Sequence, residues 1–498
     1  MQRCSPSLSR LVLVLGVGAT ATDTVAAEPL RLEDAVATGL DRSPAIASAR
    51  ARRAQSSGQA TNLQGSFDWV VDANASYARL DGELSSAQDI EDQVLTLGLG
   101  LSKQLDYGLL LRPFVNGARR ETLISGPGGL DGQRFAGIFG LEVSQPLLRG
   151  RGALGAPAAA AALREQAAEL DLRAARGIVL REVGQAYWAF RAALETRAIL
   201  AEAEALSAGL LETTRQLVQA QQRPAAELDQ LEATLADRQR ARIEASLSVI
   251  ESSTVLALAM GLGLEELETW EEATTPFPMR RPMAPRSELR KRTLATRPEI
   301  AAARARVEAA ATELEGAENG TLPALDLSAS AAYTLVDDND GQSLIAPLGA
   351  STPGVTADVR LDLELPIENR AQQGAADAFA AERLAAEIQL RDVERRALIG
   401  TDLAAQRVEI LARAAERAER AVRAHERALR NAERRVAAGL STLLDVTIFQ
   451  DRLIAAKTVL VSLSARYASA LVDVAFVTGR LGLVEDEADV LDAFEARR

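Results

Sequence analysis

Cysteine, histidine and aromatic side chains are scarce in this 498-residue chain, and each scarcity removes a class of function. The only cysteine, Cys4, precedes an apolar run at Leu11–Gly18. With Arg3 and Arg10 before that run and Val25-Ala26-Ala27 after it, residues 1–27 read as a secretory signal peptide, cut so that the chain starts at Glu28. A lipid-anchor cysteine would follow the run, so lipidation at Cys4 is rejected. The remaining sequence has no thiol for a disulfide, a nucleophile or a metal site. The single histidine, His425, lies in a charged stretch and reads as a solvated surface residue, a weak metal site. No GxxxxGK[ST], HExxH or GxSxG pattern occurs. The expectation is therefore a protein that is not an enzyme and holds no cofactor or metal. A net charge of −13 argues against nucleic acid as a partner. Beyond the N-terminus there is no uninterrupted run of the ~20 apolar residues that a membrane helix needs.

What is present is written twice. Pro44–Arg52 reads PAIASARAR and Pro298–Arg306 reads PEIAAARAR, identical at seven of nine positions without a gap. The two halves follow one plan. After the signal peptide come an opening helix (28–66), strand-like sequence (67–147) and a helical hairpin (148–263). A Pro-rich linker (264–287) reads as an exposed connector. The second half repeats the plan with an opening helix (288–323), strands (324–367) and a hairpin (368–483), followed by a tail (484–498). A repeat this long is not a solenoid and points to a pseudo-symmetric protomer.

Aromatics make up 4% of the chain, and alanine and leucine supply much of the apolar content, a mix that favours long helices. The spacing predicts one helix over 156–222 and another over 371–438, each ~100 Å long. Return helices over 225–262 and 441–481 would each span ~60 Å, and the opening helices over 31–64 and 286–318 ~50 Å. An opening helix stacked on a return helix thus matches one long helix. The match suggests paired columns, one continuous and one in two pieces.

The strand segments alternate. In Val355–Ile367, Val355, Ala357, Val359, Leu361, Leu363, Leu365 and Ile367 share one face, opposite Asp358, Arg360, Asp362 and Glu364. Leu95, Leu97, Leu99 and Leu101 repeat the pattern, and further strands are expected at Asp68–Leu80, Leu109–Thr122, Phe135–Leu147 and Ala324–Val336. Such segments fit a transmembrane β-barrel, apolar outward and polar inward, as well as a soluble sheet with one buried face. Four strands in the first half and two in the second are too few to close a barrel alone. If they span a membrane, several chains must share one wall, because an open edge in lipid is prohibitive.

Four segments together carry a family resemblance: LRLEDAVATGLDRSPAIASARAR (30–52), ELRKRTLATRPEIAAARAR (288–306), SQPLLRGRG (144–152) and RRVAAGLSTLLDVTIFQDRL (434–453). In their order and duplication, the chain resembles the outer membrane efflux protein family, the TolC-like channels. The resemblance implies a mainly α, α+β fold in which long antiparallel hairpins form a periplasmic tunnel and a few strands join a shared trimeric barrel. It also implies a homotrimer in outer-membrane lipid of a Gram-negative bacterium. The trimer would act as the exit duct of a tripartite efflux or type I secretion system, fed by a periplasmic membrane fusion (adaptor) protein and an inner-membrane pump of RND or ABC type. Val94–Thr122 departs from the simplest form of the family, in which each half contributes two strands. It could add a hairpin turning near Asp106-Tyr107-Gly108. The alternative reading is a trimeric coiled-coil periplasmic or surface structural protein, such as an adhesin or spacer, which leaves the strands unexplained.

By the same resemblance, the hairpin tips would close the tunnel entrance and meet the adaptor. The tips are Arg223 and Pro224 in the first half, where proline is expected to break the helix, and Gly439 and Leu440 in the second. Asp229 and Asp445, each in a Leu-Asp pair, match entrance aspartates and are candidates for a periplasmic gate. The competing reading makes them first-turn aspartates favoured by the helix dipole.

Overall fold

The computed structural model describes residues 29–483 apart from 86–87, 127, 223, 264, 266–269, 281, 338–351 and 439. The expected signal peptide, the C-terminal tail, Arg223 and Gly439 lie outside the described residues.

Each half opens with two helices rather than one. Helices α1 (Leu32–Arg42) and α2 (Pro44–Gln64) meet at Ser43, and α5 (Arg286–Thr296) and α6 (Pro298–Gly320) meet at Arg297. The proline that marks each repeat causes the break. It forces the residue before it out of helical geometry, and Ser43 (ψ 123°) and Arg297 (ψ 120°) are extended. The long helices are α3 (Ala156–Gln219) and α7 (Arg370–Ala437), and the return helices are α4 (Ala226–Met260) and α8 (Leu443–Val477).

The helices pack side by side as columns. Helix α3 lies between α2 and α4 on one side and α6 and α8 on the other, and α7 packs on the far side of α6 and α8. The column order is therefore α2 above α4, then α3, then α6 above α8, then α7. The two-piece columns are the arrangement that the helix lengths suggested. The joints are alike. Gly261 (φ 76°) ends α4 beneath the Arg42 carbonyl, and Gly479 (φ 71°) ends α8 beneath the Thr296 carbonyl. By length and mean hydropathy α4 and α8 are apolar enough to cross a membrane, although neither holds an uninterrupted apolar run of that length. Each instead lies antiparallel along a long charged partner, and composition alone does not register such a partner.

The main core sits at the waist, where α1, the start of α2, α3 and the ends of α4 and α8 converge on Leu32, Ile46, Leu180, Tyr187, Phe190, Leu256 and Val472. The linker belongs to this core. Leu30 pairs with Ala273, the buried Tyr187 hydroxyl donates to the Leu30 carbonyl (3.1 Å) and accepts from Thr275 N (3.2 Å), and Phe277 stacks on Trp188. Arg280–Glu419, Arg286–Glu409 and Arg290–Asp402 ion pairs then strap the linker and α5 to α7. The expected exposed connector is a packed strap, because its aromatics had apolar surface to cover.

Among the described residues six strands form one antiparallel sheet in chain order: β1 (Trp69–Ser85), β2 (Gln88–Gln104), β3 (Leu110–Ser125), β4 (Asp131–Pro146), β5 (Ala324–Asp337) and β6 (Thr352–Glu364). Alternation carries across the whole sheet. One register row reads Ala73, Leu99, Val115, Phe139, Tyr333 and Val355, and the next reads Asn74, Gly98, Asn116, Ile138, Thr334 and Gly354. On the polar face Arg112 stands 3.8 Å from both Asp72 and Glu142, and Ser328 donates to Ser144. The β2–β3 turn comes back to the helical end, where Gly152 N donates to the Tyr107 carbonyl (3.2 Å).

Candidate functional site at the hairpin tips

The first tip forms without help from its proline. Helix α3 stops at Gln219, five positions ahead of Pro224, in a Schellman turn with Gln222 N on Leu217 O and Gln221 N on Val218 O, both 2.9 Å. Gln221 occupies the left-handed position (φ 60°) that usually takes glycine. The expected break at Pro224 is thereby corrected: the chain has already left the helix, and Pro224 O serves as an acceptor for Glu227 N at the start of α4. Replacing Gln221 by glycine should relieve about 1 kcal/mol of backbone strain, read as a higher unfolding midpoint. At the second tip Leu440 N donates to Arg435 O (2.8 Å).

Asp445 sits in the first turn of α8 and is committed to its cap. One carboxylate oxygen, Oδ2, accepts from the Ser441 hydroxyl (2.6 Å), Thr442 N (3.0 Å) and the Thr442 hydroxyl (2.9 Å). These donors, Ser441 foremost, hold its pKa down to about 2. A depressed folded-state value gives stabilisation that is complete above the ordinary carboxylate range and is lost as pH falls through about 2. Amide exchange in the first turn of α8 should therefore accelerate between pH ~4 and ~2. Ser441→Ala should move that transition upward, and an unmoved transition would remove the assignment. Asp229 lies exposed in the first turn of α4.

The two tips adjoin. Gln230, Leu231 and Thr234 of α4 line one cavity of about 220 Å³ with Thr442, the N-cap of α8, and Leu444 and Thr447 of α8. Higher up, Arg238 of α4 pairs with Asp451 of α8 across the two hairpins, while its Nε finds no acceptor. Burial pulls this guanidinium below its ordinary pKa. Arg242–Glu204 (2.5 Å) and Lys457–Glu202 (3.6 Å) tie both return helices to α3. The sequence reading did not single out Arg238 or Asp451. Arg and Glu are so dense on these helices that spacing does not say which pairs cross between hairpins. Among the described residues no group of three His, Cys, Asp or Glu side chains is placed to hold a metal ion.

Residues 289–480 match the outer membrane efflux protein family model. No curated protein sequence matches the chain. Among solved structures, CmeC, an outer membrane channel of Campylobacter jejuni, has 16% identity and a TM-score of 0.63, with 99% of this chain and 98% of that one covered. The outer membrane protein VceC of Vibrio cholerae has 20% identity and a TM-score of 0.61, covering 90% and 96%. The open state of the Neisseria gonorrhoeae outer membrane channel MtrE has 18% identity and a TM-score of 0.62, covering 92% and 90%. The family match falls on the second half, and the internal repeat and the shared fold extend the likeness to the first. Residues 289–480 are thus similar to the outer membrane efflux protein family, and the described chain has the fold of the outer-membrane channels.

Proposed function

We propose that three copies of this chain form a passive exit duct through the outer membrane of a Gram-negative bacterium, joined below to a periplasmic adaptor and an inner-membrane pump. The observation that carries this reading is that the protomer is a wall with two raw borders. Strands β1 and β6 are both unpaired along their outer sides, although they are 17 and 13 residues long. Strand β6 carries no charge on its apolar face and β1 carries it only toward its far end, at Arg79, Asp81 and Glu83, and no described helix covers either edge, whereas soluble proteins blunt such edges. Strand β1 follows α2 and β6 precedes α7, so each sheet edge continues into an outermost helical column.

Those columns also present unpartnered apolar stripes. On α4 these are Ile243, Leu247, Ile250 and Leu258, and on α7 Leu384, Ile388, Ile399, Leu403 and Ile410. The two borders differ, so they join head to tail, and repeated head-to-tail contacts close into a ring. The closed ring buries both edges and both stripes, turns the apolar rows to lipid and leaves the polar rows facing a central lumen. A coiled-coil spacer or adhesin would need no six-stranded sheet with a continuous apolar band across one face.

The test is fractionation followed by gel electrophoresis with and without heating. The duct reading requires an outer-membrane band that runs as a trimer unheated and as a monomer after heating, and a soluble monomer would overturn it. At the entrance, Asp229 and Asp445 would set a ring of negative charge around a narrow opening. Asp229→Ala with Asp445→Ala should raise the closed-state conductance or the cation leak in planar bilayers. Unchanged single-channel currents would leave both residues as first-turn aspartates alone. The adaptor would meet the tips at Arg223, Pro224, Gly439 and Leu440.

A further inference from the structure

The β2–β3 hairpin is fully part of the wall. It pairs with β1 on one side and β4 on the other along nearly its whole length, and its outward residues Leu97, Leu99 and Val115 continue the apolar rows of the neighbouring strands. Its inward surface is low. The Asn74 and Asp72 side chains lie flat across Gly98 and Gly100, and at Gly100 an added Cβ would meet the Asp72 carboxylate at 2.6 Å.

Taking the trimeric duct as its basis, we propose that this hairpin enlarges the shared barrel to eighteen strands, three copies of six, and opens the outer-membrane pore to solutes about 2 nm across. The widths of the two layers support it. Strands ~4.8 Å apart and tilted ~40° take up ~6 Å of circumference each, so six strands span ~38 Å. Four helical columns at 8–10 Å spacing span ~32–40 Å. Six strands therefore sit on four columns without a step, whereas four strands would span only ~25 Å. Closed threefold, the wall is ~36 Å across between backbones, and ~25 Å remains clear once an inward side chain of ~5 Å is allowed on each side. Without the hairpin the same estimate leaves ~14 Å. The barrel then places no size limit tighter than that of the helical tunnel beneath it. The duct accordingly suits bulky cargo, such as polypeptides or large amphiphiles, as well as small solutes.

Two measurements on the intact trimer test this, and a variant adds a third. In a Cys4→Ser background, nitroxides at Leu99→Cys and Val115→Cys should be relaxed by oxygen dissolved in lipid, and one at Asn116→Cys by a water-soluble nickel complex. Strong water accessibility at all three positions would place the hairpin outside the wall and overturn the proposal. In planar bilayers, polyethylene glycol of ~2 nm hydrodynamic diameter added on the extracellular side should enter the barrel and lower its conductance. Exclusion of every polymer above ~1.4 nm would equally overturn it. Excising Gln88–Ser125, so that β1 runs into β4, should bring the cut-off down to that smaller size. If this variant fails to assemble, the label and polymer results on the intact protein still decide. The heated and unheated gel separates the two readings. Loss of the trimer defeats the duct itself, while an intact trimer with a water-exposed hairpin defeats only the wide barrel.

Discussion

Gly261→Val and Gly479→Val should each lower the stability of the protomer by about 3 kcal/mol, among the costliest single changes that the fold permits outside the lipid-facing wall. Both glycines hold left-handed backbone, at φ 76° and 71°. A β-branched residue there incurs about 1–2 kcal/mol from its own backbone geometry. The larger problem is the neighbour. A Cβ at Gly261 would stand 2.7 Å from the Arg42 carbonyl oxygen, and one at Gly479 2.8 Å from that of Thr296. These are backbone atoms at the Ser43-Pro44 and Arg297-Pro298 kinks, and backbone has no rotamer by which to withdraw. The lower helix of each two-piece column would be pushed off the upper one. Urea unfolding should show a lower midpoint with unchanged slope. Gly58→Ala is the control: a Cβ at Gly58 meets nothing within 4 Å, so it should be neutral or stabilise α2 by about 0.5–1 kcal/mol. Valine at Gly261 as harmless as alanine at Gly58 would refute this account of the joint.

Val359→Arg should prevent assembly while leaving the helical part folded. Val359 faces outward in β6, is 75% exposed in the isolated protomer and pairs with Ala329 of β5. An arginine near the midplane of a barrel wall costs about 2–4 kcal/mol, and a trimer incurs that cost three times. Arg360, one residue on, already shows that the opposite face accepts this side chain. The contrast is sharpest with Thr356→Arg, on the polar face, which should assemble normally. Unheated gels of outer-membrane fractions read both variants. A normal trimer from Val359→Arg would mean that this face does not meet lipid.

Much of this arrangement was legible in the sequence, for identifiable reasons. The six strands were visible because alternation has a period of two and survives whatever the partner strand is. The two-piece columns followed from helix lengths, which depend on little more than the placement of breakers. The kinks at Ser43 and Arg297 were missed, although each precedes a proline, because two helices joined by one extended residue keep the apolar pattern of a single helix. The α3 stop was not legible, because Gln221 fills a position for which glycine is the usual sign. The linker's packing against Trp188 depends on a cavity formed by helices far away in the chain. Of the tip residues, Asp445 shows its capping role in the Thr442-to-Asp445 spacing, whereas the Arg238–Asp451 tie depends on how the two hairpins twist around each other.

The unlike borders of the protomer carry a consequence for how the complex comes together. A pair of protomers joined along one seam still exposes one free β1 border and one free β6 border, as many as a single subunit does. In the proposed trimer the third subunit would make two seams at once, the second of them within a complex already held together, at a high effective concentration. Intermediates of two subunits should therefore be scarce at every stage of assembly, and the population should pass from single chains to closed rings with little between.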